Sequence, residues 1–418
     1  MKLTKEQQDA LDILNSGKNV FLTGEAGTGK STIINHFVGQ DIKRNILTFA
    51  PTGIAAIQIG GVTIHRGFKL DRGVLPPSKI LFVPPEIELA DTIIIDEISM
   101  CRVDMFDRVI EIIKRANRTR GRFGQEPIQI ILVGDFFQLP PVTTDAERKA
   151  MKQLYPHLEE FFAFNSRYWK EMEFQSIVLK EIMRQDDDNF INALNEIRKG
   201  NRKAIDFLND KASKVPSETA LTLTGINRVA AEINKEKLDK IASSETITRI
   251  KIKGKINPSD LCVDTELILK EGARVMTIIN GNGYQNGSLG YVLKIDSKKK
   301  YVKVVLDNGE VVEIKKNVWE VYGYTTLFKA DGEKTVVKEV VGTYEQFPLK
   351  LAYAITIHKS QGQTFDEVNL MPYSWDHGQL YVALSRVVSL KGLHMLEPIR
   401  YNFLKTSDKV IEFYKTIY

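Results

Sequence analysis

A lysine and a hydroxyl residue placed directly after a glycine, with another glycine five residues upstream, can hold a polyphosphate. Gly24, Glu25, Ala26, Gly27, Thr28, Gly29, Lys30 and Ser31 form that pattern, G-x-x-x-x-G-K-[ST], and Thr32 leads on into a helical repeat. Glycines let main-chain N–H groups close around a β-phosphate at a helix N-terminus, where the dipole also favours an anion. Lys30 is then suited to bridge the β- and γ-phosphates, and Ser31 to ligate Mg²⁺. The run Ile93, Ile94, Ile95 ends in Asp96 and Glu97, two carboxylates delivered to the strand edge where open α/β sheets bind ligands. Asp96 would complete the Mg²⁺ shell and Glu97 would polarise an attacking water. A further apolar strand ends in Gly134-Asp135-Phe136-Phe137-Gln138-Leu139-Pro140-Pro141. Gln138 can stand beside a γ-phosphate as its sensor, and by itself is equally an ordinary loop amide. The chemistry these residues predict is hydrolysis of a nucleoside triphosphate with Mg²⁺.

The second half has no P-loop of its own, yet it carries Met183-Arg184-Gln185 and Leu384-Ser385-Arg386. An arginine reaching a phosphate from across a cleft completes the charge stabilisation of phosphoryl transfer and makes hydrolysis depend on closure of two lobes. By spacing alone, each arginine is equally suited to a surface ion pair.

These residues need a scaffold, and the pattern supplies one. Short β-rich runs at 19–22, 46–49, 92–95 and 128–133 alternate with helical patterns, among them 103–113, where apolar residues recur every three or four positions. That alternation predicts a doubly wound parallel sheet. A mixed aromatic and charged stretch at 164–175 marks a crossover to a second unit, in which 221–224 is a strand and 228–241 a helix. From 287 to 321, strand runs separated by Ser297-Lys298-Lys299-Lys300 and by Asp307-Asn308-Gly309 read as hairpins of a small inserted barrel. The 418 residues therefore divide into several packed units, with 43% hydrophobic and 27% charged residues, as in an ordinary globular chain. No apolar run reaches membrane length and the N-terminus lacks the apolar stretch of a secretion signal, which predicts an intracellular protein. Two distant cysteines, Cys101 and Cys262, argue against zinc and disulfides, and the net charge of +5 permits a polyanionic partner without requiring one.

Taken together, the motifs resemble the Pif1 family, which belongs to superfamily 1B of DNA helicases together with the phage Dda and bacterial RecD enzymes. The resemblance is carried by residues 24–31, 50–56, 63–65, 95–100, 134–141, 183–185, 356–364 and 382–387, in order along nearly the whole chain. It implies an α/β fold of two RecA-like P-loop-type domains with a small 1B wedge and an inserted SH3-like β-barrel, 2B. The corresponding boundaries are 1–170 for 1A, with the wedge at about 62–77, 171–285 and 345–418 for 2A, and 286–344 for 2B. It makes Gln7 the reader of adenine, Arg184 and Arg386 the γ-phosphate arginines, and Gly362 and Gln363 neighbours of the nucleotide. It also implies that single-stranded DNA crosses Thr52, His65, Phe68 and Pro140 in the first domain, and Thr356, His358, Lys359 and Gln361 in the second. Hydroxyls and lysine suit the phosphate backbone, while His and Phe offer stacking faces that accept any base. For Phe68, plain packing is the competing reading, and for residues 298–300 a solvated turn.

The implied partners are single-stranded and forked or tailed duplex DNA, the expected state in solution is a monomer, and the implied movement is 5′ to 3′. A helicase of another superfamily 1 subgroup acting on RNA, or an ATP-switched DNA-binding remodeller, would share most of these residues. Starting at the adenine-reading motif and ending soon after Arg386, the chain reads as a bacterial member or a trimmed core. Cys101-Arg102 departs from the family pattern, being polar where an apolar residue is expected.

Overall fold

The computed structural model describes residues 3–40, 44–71, 73–76, 82–185, 187–296, 300–328 and 334–417. Residues 72 and 77 of the expected wedge, and Lys298 and Lys299 of the expected turn, lie outside them. The first lobe is built on six parallel strands: β1 (Val20–Gly24), β2 (Ile46–Ala50), β3 (Val62–Thr63), β4 (Thr92–Ile95), β5 (Gln129–Val133) and β6 (Gln175–Leu179). Their order across the sheet is β3-β2-β4-β5-β1-β6. β1, β4 and β5 are buried at every position, which is why they read as unbroken apolar runs and not as alternation. The central β1 has β5 on one side and β6 on the other, with Leu22 opposite Val133 and Ile177.

Three expected boundaries move. β6 pairs with β1 over its full length, so the first lobe's sheet continues past residue 170 to Leu179. Val62 and Thr63, assigned to the wedge, pair with Phe49 and Ala50 in the same sheet. The last helix, Asp408–Lys415, is not part of the second lobe's core: Val410 and Tyr414 pack with Phe21, Phe136 and Trp169 of the first. An aromatic cluster explains this return, since Phe413 stacks on Phe164 at 4.4 Å and meets Phe136 edge-on at 5.5 Å.

The second lobe holds a four-stranded parallel sheet in the order Ala354–Thr356, Leu221–Thr224, Val368–Leu370, Leu393–Met395. The helix Asn227–Asp239 follows its first strand, as the periodicity predicts. Between these strands lies antiparallel structure more extensive than 286–344. A five-stranded sheet runs Val311–Lys315, Tyr301–Leu306, Leu289–Asp296, Arg274–Thr277, Leu349–Leu351, recruiting strands on both sides of the expected insertion. The Asp307-Asn308-Gly309 turn joins two of its strands, with Gly309 at φ 85°. A separate long hairpin, Asn317–Phe328 with Lys334–Gln346, reaches the first lobe, where Tyr324 OH accepts the Thr48 N–H at 3.0 Å.

The unusual Cys101-Arg102 pair has a plain structural account. Cys101 is buried in the first core, and Arg102 is buried through a bidentate pair with Asp104 at 2.6 and 2.9 Å. Arg102 also bonds Glu147 at 3.0 Å and the Gly73 carbonyl, tying the segment after residue 72 to the start of helix Val103–Arg122. Among the described residues, no helix is long and apolar enough to cross a membrane.

Candidate active site and nucleic-acid interface

The phosphate loop leaves β1 and enters the helix Lys30–Gln40. Gly27 and Gly29 sit at φ 87° and 81°, in the left-handed region that side chains resist. At Gly27 a Cβ would also meet the Arg184 Cβ at 2.7 Å, so this glycine admits a residue of the segment beyond β6 to the loop itself. Met183 N–H donates to the Gly27 carbonyl at 3.0 Å and fixes that approach. Lys30 Nζ donates to the Gly24 and Glu25 carbonyls, each at 2.9 Å. Burial lowers its proton affinity, against the pull of the Asp135 and Glu97 carboxylates. Ser31 is exposed beside it and Thr28 is buried, its hydroxyl donating to the Glu25 carbonyl at 2.9 Å.

Asp96 and Glu97 leave the C-terminal end of β4 as the sequence predicts. Glu97 takes φ 51°, a conformation that costs a non-glycine residue about 1 kcal/mol or more and recurs at functional sites. Asp96 accepts the Glu97 main-chain N–H at 2.8 Å, and burial raises its carboxyl above the ordinary range. Burial, with the Asp96 charge second, pushes Glu97 up to about 7.

Both arginines arrive at this cleft. Arg184 donates to the Ser385 carbonyl at 3.1 Å, and Arg386 to the Val382 carbonyl at 2.9 Å, the Ser385 hydroxyl at 2.8 Å and the Gln363 carbonyl at 3.3 Å. Neither meets a carboxylate among the described residues, which removes the surface ion-pair reading. Burial and then the Arg184 charge bring Arg386 down to about 9, and burial also lowers Arg184. The cleft therefore has buried cations with unmet electrostatic demand facing two carboxyls that burial keeps from ionising freely, which fits a Mg²⁺-bound polyphosphate. Ser31 and Asp96 would offer oxygen donors to such a cation, a small protein share of the kind Mg²⁺ uses beside substrate phosphates.

Gln7 is buried at the edge of the loop, at the third residue of a capped helix. Its Oε1 accepts the Thr4 N–H at 3.1 Å and its Nε2 lies 3.4 Å from both the Thr28 carbonyl and the Met183 sulfur. Gln138 is buried with its N–H on the Asp135 carbonyl at 2.9 Å. Gln363 joins the site through its carbonyl, whereas Gly362 is exposed and abuts Gln58 of the first lobe.

Sequence reading missed several residues. Tyr381 OH accepts the Ala26 N–H at 3.0 Å, so the phosphate loop is touched from the second lobe. Tyr381 lies five positions before Arg386, close enough to have been suspected. Asp135 pairs with Arg198 at 2.9 Å and accepts Tyr414 OH at 3.1 Å, all three side chains buried at the seam. The Asn195 side-chain amide lies within hydrogen-bond distance of the Glu25 carboxylate, which its nitrogen would satisfy as donor. Nothing local in the sequence marks Arg198, Tyr414 or Asn195.

The nucleic-acid candidates divide. Thr52 and His65 line one cavity of about 960 Å³ with Arg66, Pro141, Val142 and Lys255. Thr52 also caps the helix Gly53–Gln58, its hydroxyl accepting the Ala55 N–H at 3.3 Å. Thr356 and Lys359 line a second cavity of about 880 Å³ on the other lobe with Asn227 and Lys350, and His358 is half-buried beside it. Two candidates are corrected. Phe68 is 2% exposed and packs 4.9 Å from Phe49, so it is core, because the short helix Ile64–Gly67 turns its C-cap inward. Pro140 is buried too, and its neighbours Pro141 and Val142 take the cavity wall. Gln361 is drawn away from the cavity: its Nε2 donates to Glu97 Oε2 at 2.9 Å, across the seam.

Comparison with known proteins follows the same lines. Residues 2–207 match a family described as PIF1-like helicase. The ATP-dependent DNA helicase Pif1 of Bdellovibrio bacteriovorus is 32% identical, over 99% of this chain and 92% of its own. The unliganded structure of Pif1 from a Bacteroides species is 35% identical and superposes with a TM-score of 0.85, covering 100% of this chain and 97% of that one. Bacteroides Pif1 bound to single-stranded DNA, with the same identity and coverage, superposes at 0.67. With the α/β architecture shared and identity sustained from end to end, the chain belongs to the Pif1-like helicase family.

Proposed function

We propose that the chain is an ATP-dependent DNA helicase whose two lobes are RecA-like domains, with a 1B wedge and an SH3-like 2B insertion between them. It loads on single-stranded DNA, closes its lobes on ATP, hydrolyses it and steps along the strand, entering forked or tailed duplex. The 5′ to 3′ direction rests on the family resemblance, since no residue gives polarity a physical basis.

The observation that carries this reading is the seam. Arg184 and Arg386 meet across it with no carboxylate between them, and Gln361, in the segment bordering the second cavity, bonds Glu97 on the first lobe. Lys30 and the loop amides would hold the β- and γ-phosphates, with Gln7 placed to read the base. Ser31 and Asp96 would hold Mg²⁺, which supplies charge neutralisation at the phosphates. Glu97, pushed up to about 7, is matched to take a proton from water near neutral pH. Arg184 and Arg386 would stabilise the charge that develops on the transferring phosphoryl group only when the lobes are closed. Because Gln361 links Glu97 to the strand-side segment, a strand in the second cavity can set the position of the base.

The deciding experiment is strand displacement on DNA and RNA duplexes with 5′ or 3′ tails, run beside ATP turnover with and without oligonucleotide. The expected result is DNA-stimulated turnover and displacement from a 5′ tail. Stimulated turnover without displacement would mean a nucleotide-switched remodeller, and preference for RNA would move the chain to another subgroup. Turnover indifferent to oligonucleotide would end the reading altogether.

A further inference from the structure

The chain has three tryptophans, and they differ sharply in environment. Trp169 and Trp319 are 9% and 6% exposed, whereas Trp375 is 51% exposed. An indole half in water forgoes much of the hydrophobic stabilisation its area could give unless something covers it. Trp375 is nonetheless held rigidly. Its indole N–H donates to the Gly225 carbonyl at 3.0 Å, its main-chain N–H to Gln379 Oε1 at 3.1 Å, and its carbonyl accepts Lys405 Nζ at 2.9 Å. Its ring backs onto the His358 imidazole, with centroids 6.1 Å apart and planes within 22°. The inner partner, His358, is half-buried, and the open half of the stack belongs to Trp375.

Position adds the second argument. Trp375 touches Gly225 and His358, and these lie within two residues in sequence of Asn227, Thr356 and Lys359, which line the second cavity. Three residues later, Gly378 abuts the main chain of Phe137 and Gln138 in the first lobe, three positions before the cavity wall at Pro141 and Val142. A strand passing from one cavity to the other would cross beside this ring. A flat, fixed, solvent-facing aromatic backed by a second ring suits a nucleobase of any identity, because every base has a π-face.

We propose that Trp375 is a base-stacking platform for single-stranded nucleic acid where the strand leaves the second cavity for the seam. The platform holds one base by its face, and Lys359 and Thr356 take the backbone beside it. It rests on the reading of the chain as a strand-translocating enzyme.

The test uses the full chain with a fluorescently labelled oligo-dT and an abasic oligonucleotide of the same length. Trp375→Ala should weaken oligo-dT binding roughly 5- to 150-fold, the range of one lost base stack, and leave abasic binding within about twofold. Trp375→Phe, which also loses the indole N–H bond but keeps a ring, should retain most of the affinity. Intrinsic emission of the wild type should fall on adding oligo-dT, and that of Trp375→Phe should not, since the remaining tryptophans are buried. Equal weakening of dT and abasic binding, unchanged dT binding, or quenching that survives in Trp375→Phe would each overturn the platform while leaving the helicase reading intact. A wild-type chain that binds neither oligonucleotide would overturn both.

Discussion

Replacing Glu97 by Gln keeps the side chain's shape and the hydrogen bond accepted from Gln361, and removes only the charge. In the folded chain, burial and the Asp96 carboxylate move the Glu97 carboxyl from 4.5 to about 7. Below 4.5 the group is protonated in both states and contributes nothing to the pH dependence of folding. Between 4.5 and about 7 the folded chain keeps a proton that the unfolded chain has released, so stability falls as pH rises through that window. Above about 7 the whole cost is in place, and a gap from 4.5 to about 7 corresponds to about 3 kcal/mol. Gln never ionises and carries no such cost. Glu97→Gln should therefore be about 3 kcal/mol more stable than the parent at pH 8.5 and less than about 1 kcal/mol more stable at pH 5. At about 2–4 °C per kcal/mol for a unit of this size, melting of the nucleotide-free protein should rise roughly 6–12 °C at the higher pH and by far less at the lower. Turnover should meanwhile drop by about 10²- to 10⁴-fold, the usual worth of a general base. An offset in melting temperature that is the same at pH 5 and 8.5 would refute the reasoning, because it would place the effect in packing and not in ionisation.

Lys30→Ala should abolish ATP hydrolysis while oligonucleotide affinity, measured by anisotropy, stays near that of the parent. Arg386→Ala should lower turnover by about 10³- to 10⁵-fold, the range for an arginine that stabilises phosphoryl transfer, with ATP still bound in equilibrium dialysis. Phe68→Ala should destabilise the chain by about 3–5 kcal/mol in denaturant titration and leave the difference between dT and abasic binding untouched, as suits a core ring. Asp135→Asn leaves Arg198 buried without a counter-charge and should cost about 3–5 kcal/mol in the same titration. Pairing it with Arg198→Met should recover part of that loss.

The parallel sheets were legible because burial on both faces leaves an unbroken apolar run, and 92–95 and 128–133 could be nothing else between helical patterns. The strand-to-helix turn at 24–31 and the Asp96-Glu97 pair at a strand end were legible because their spacing between apolar runs fixes where they sit. What escaped was whatever depends on distant sequence meeting in space. β6 looked like the start of a second unit because its edge position leaves Gln175 exposed and Ser176 only partly covered, blurring the apolar run. The helix Asp408–Lys415 follows the second lobe in sequence, and only the ring cluster around Phe136 and Phe413 shows where it belongs. Phe68 failed for a related reason: one aromatic in a short segment has no periodicity to say which way it faces. Arg102 is the sharpest case, since a polar residue in an apolar slot looked like a flaw until Asp104, Glu147 and Gly73 supplied its partners.

The electrostatics of the seam bear on why closure should follow the nucleotide. Burial and then the Arg184 charge lower the proton affinity of Arg386, burial lowers that of Arg184, and burial and then Asp96 push Glu97 up to about 7. A cation-bound triphosphate would relieve both sets of groups, giving the arginines an anion and the carboxylates a metal. A ligand shifts a conformational equilibrium only by its differential affinity for the two states, and on the proposed reading Arg386, brought from the second lobe, would supply that difference. After hydrolysis, loss of the γ-phosphate would remove the arginines' counter-charge while the Arg184 charge still disfavours Arg386, so on the proposed reading the same residues would favour closure before the reaction and opening after it. Neutralising one arginine should therefore weaken the nucleotide-driven closure and also slow the reopening, a pair of effects that a purely structural arginine could not produce.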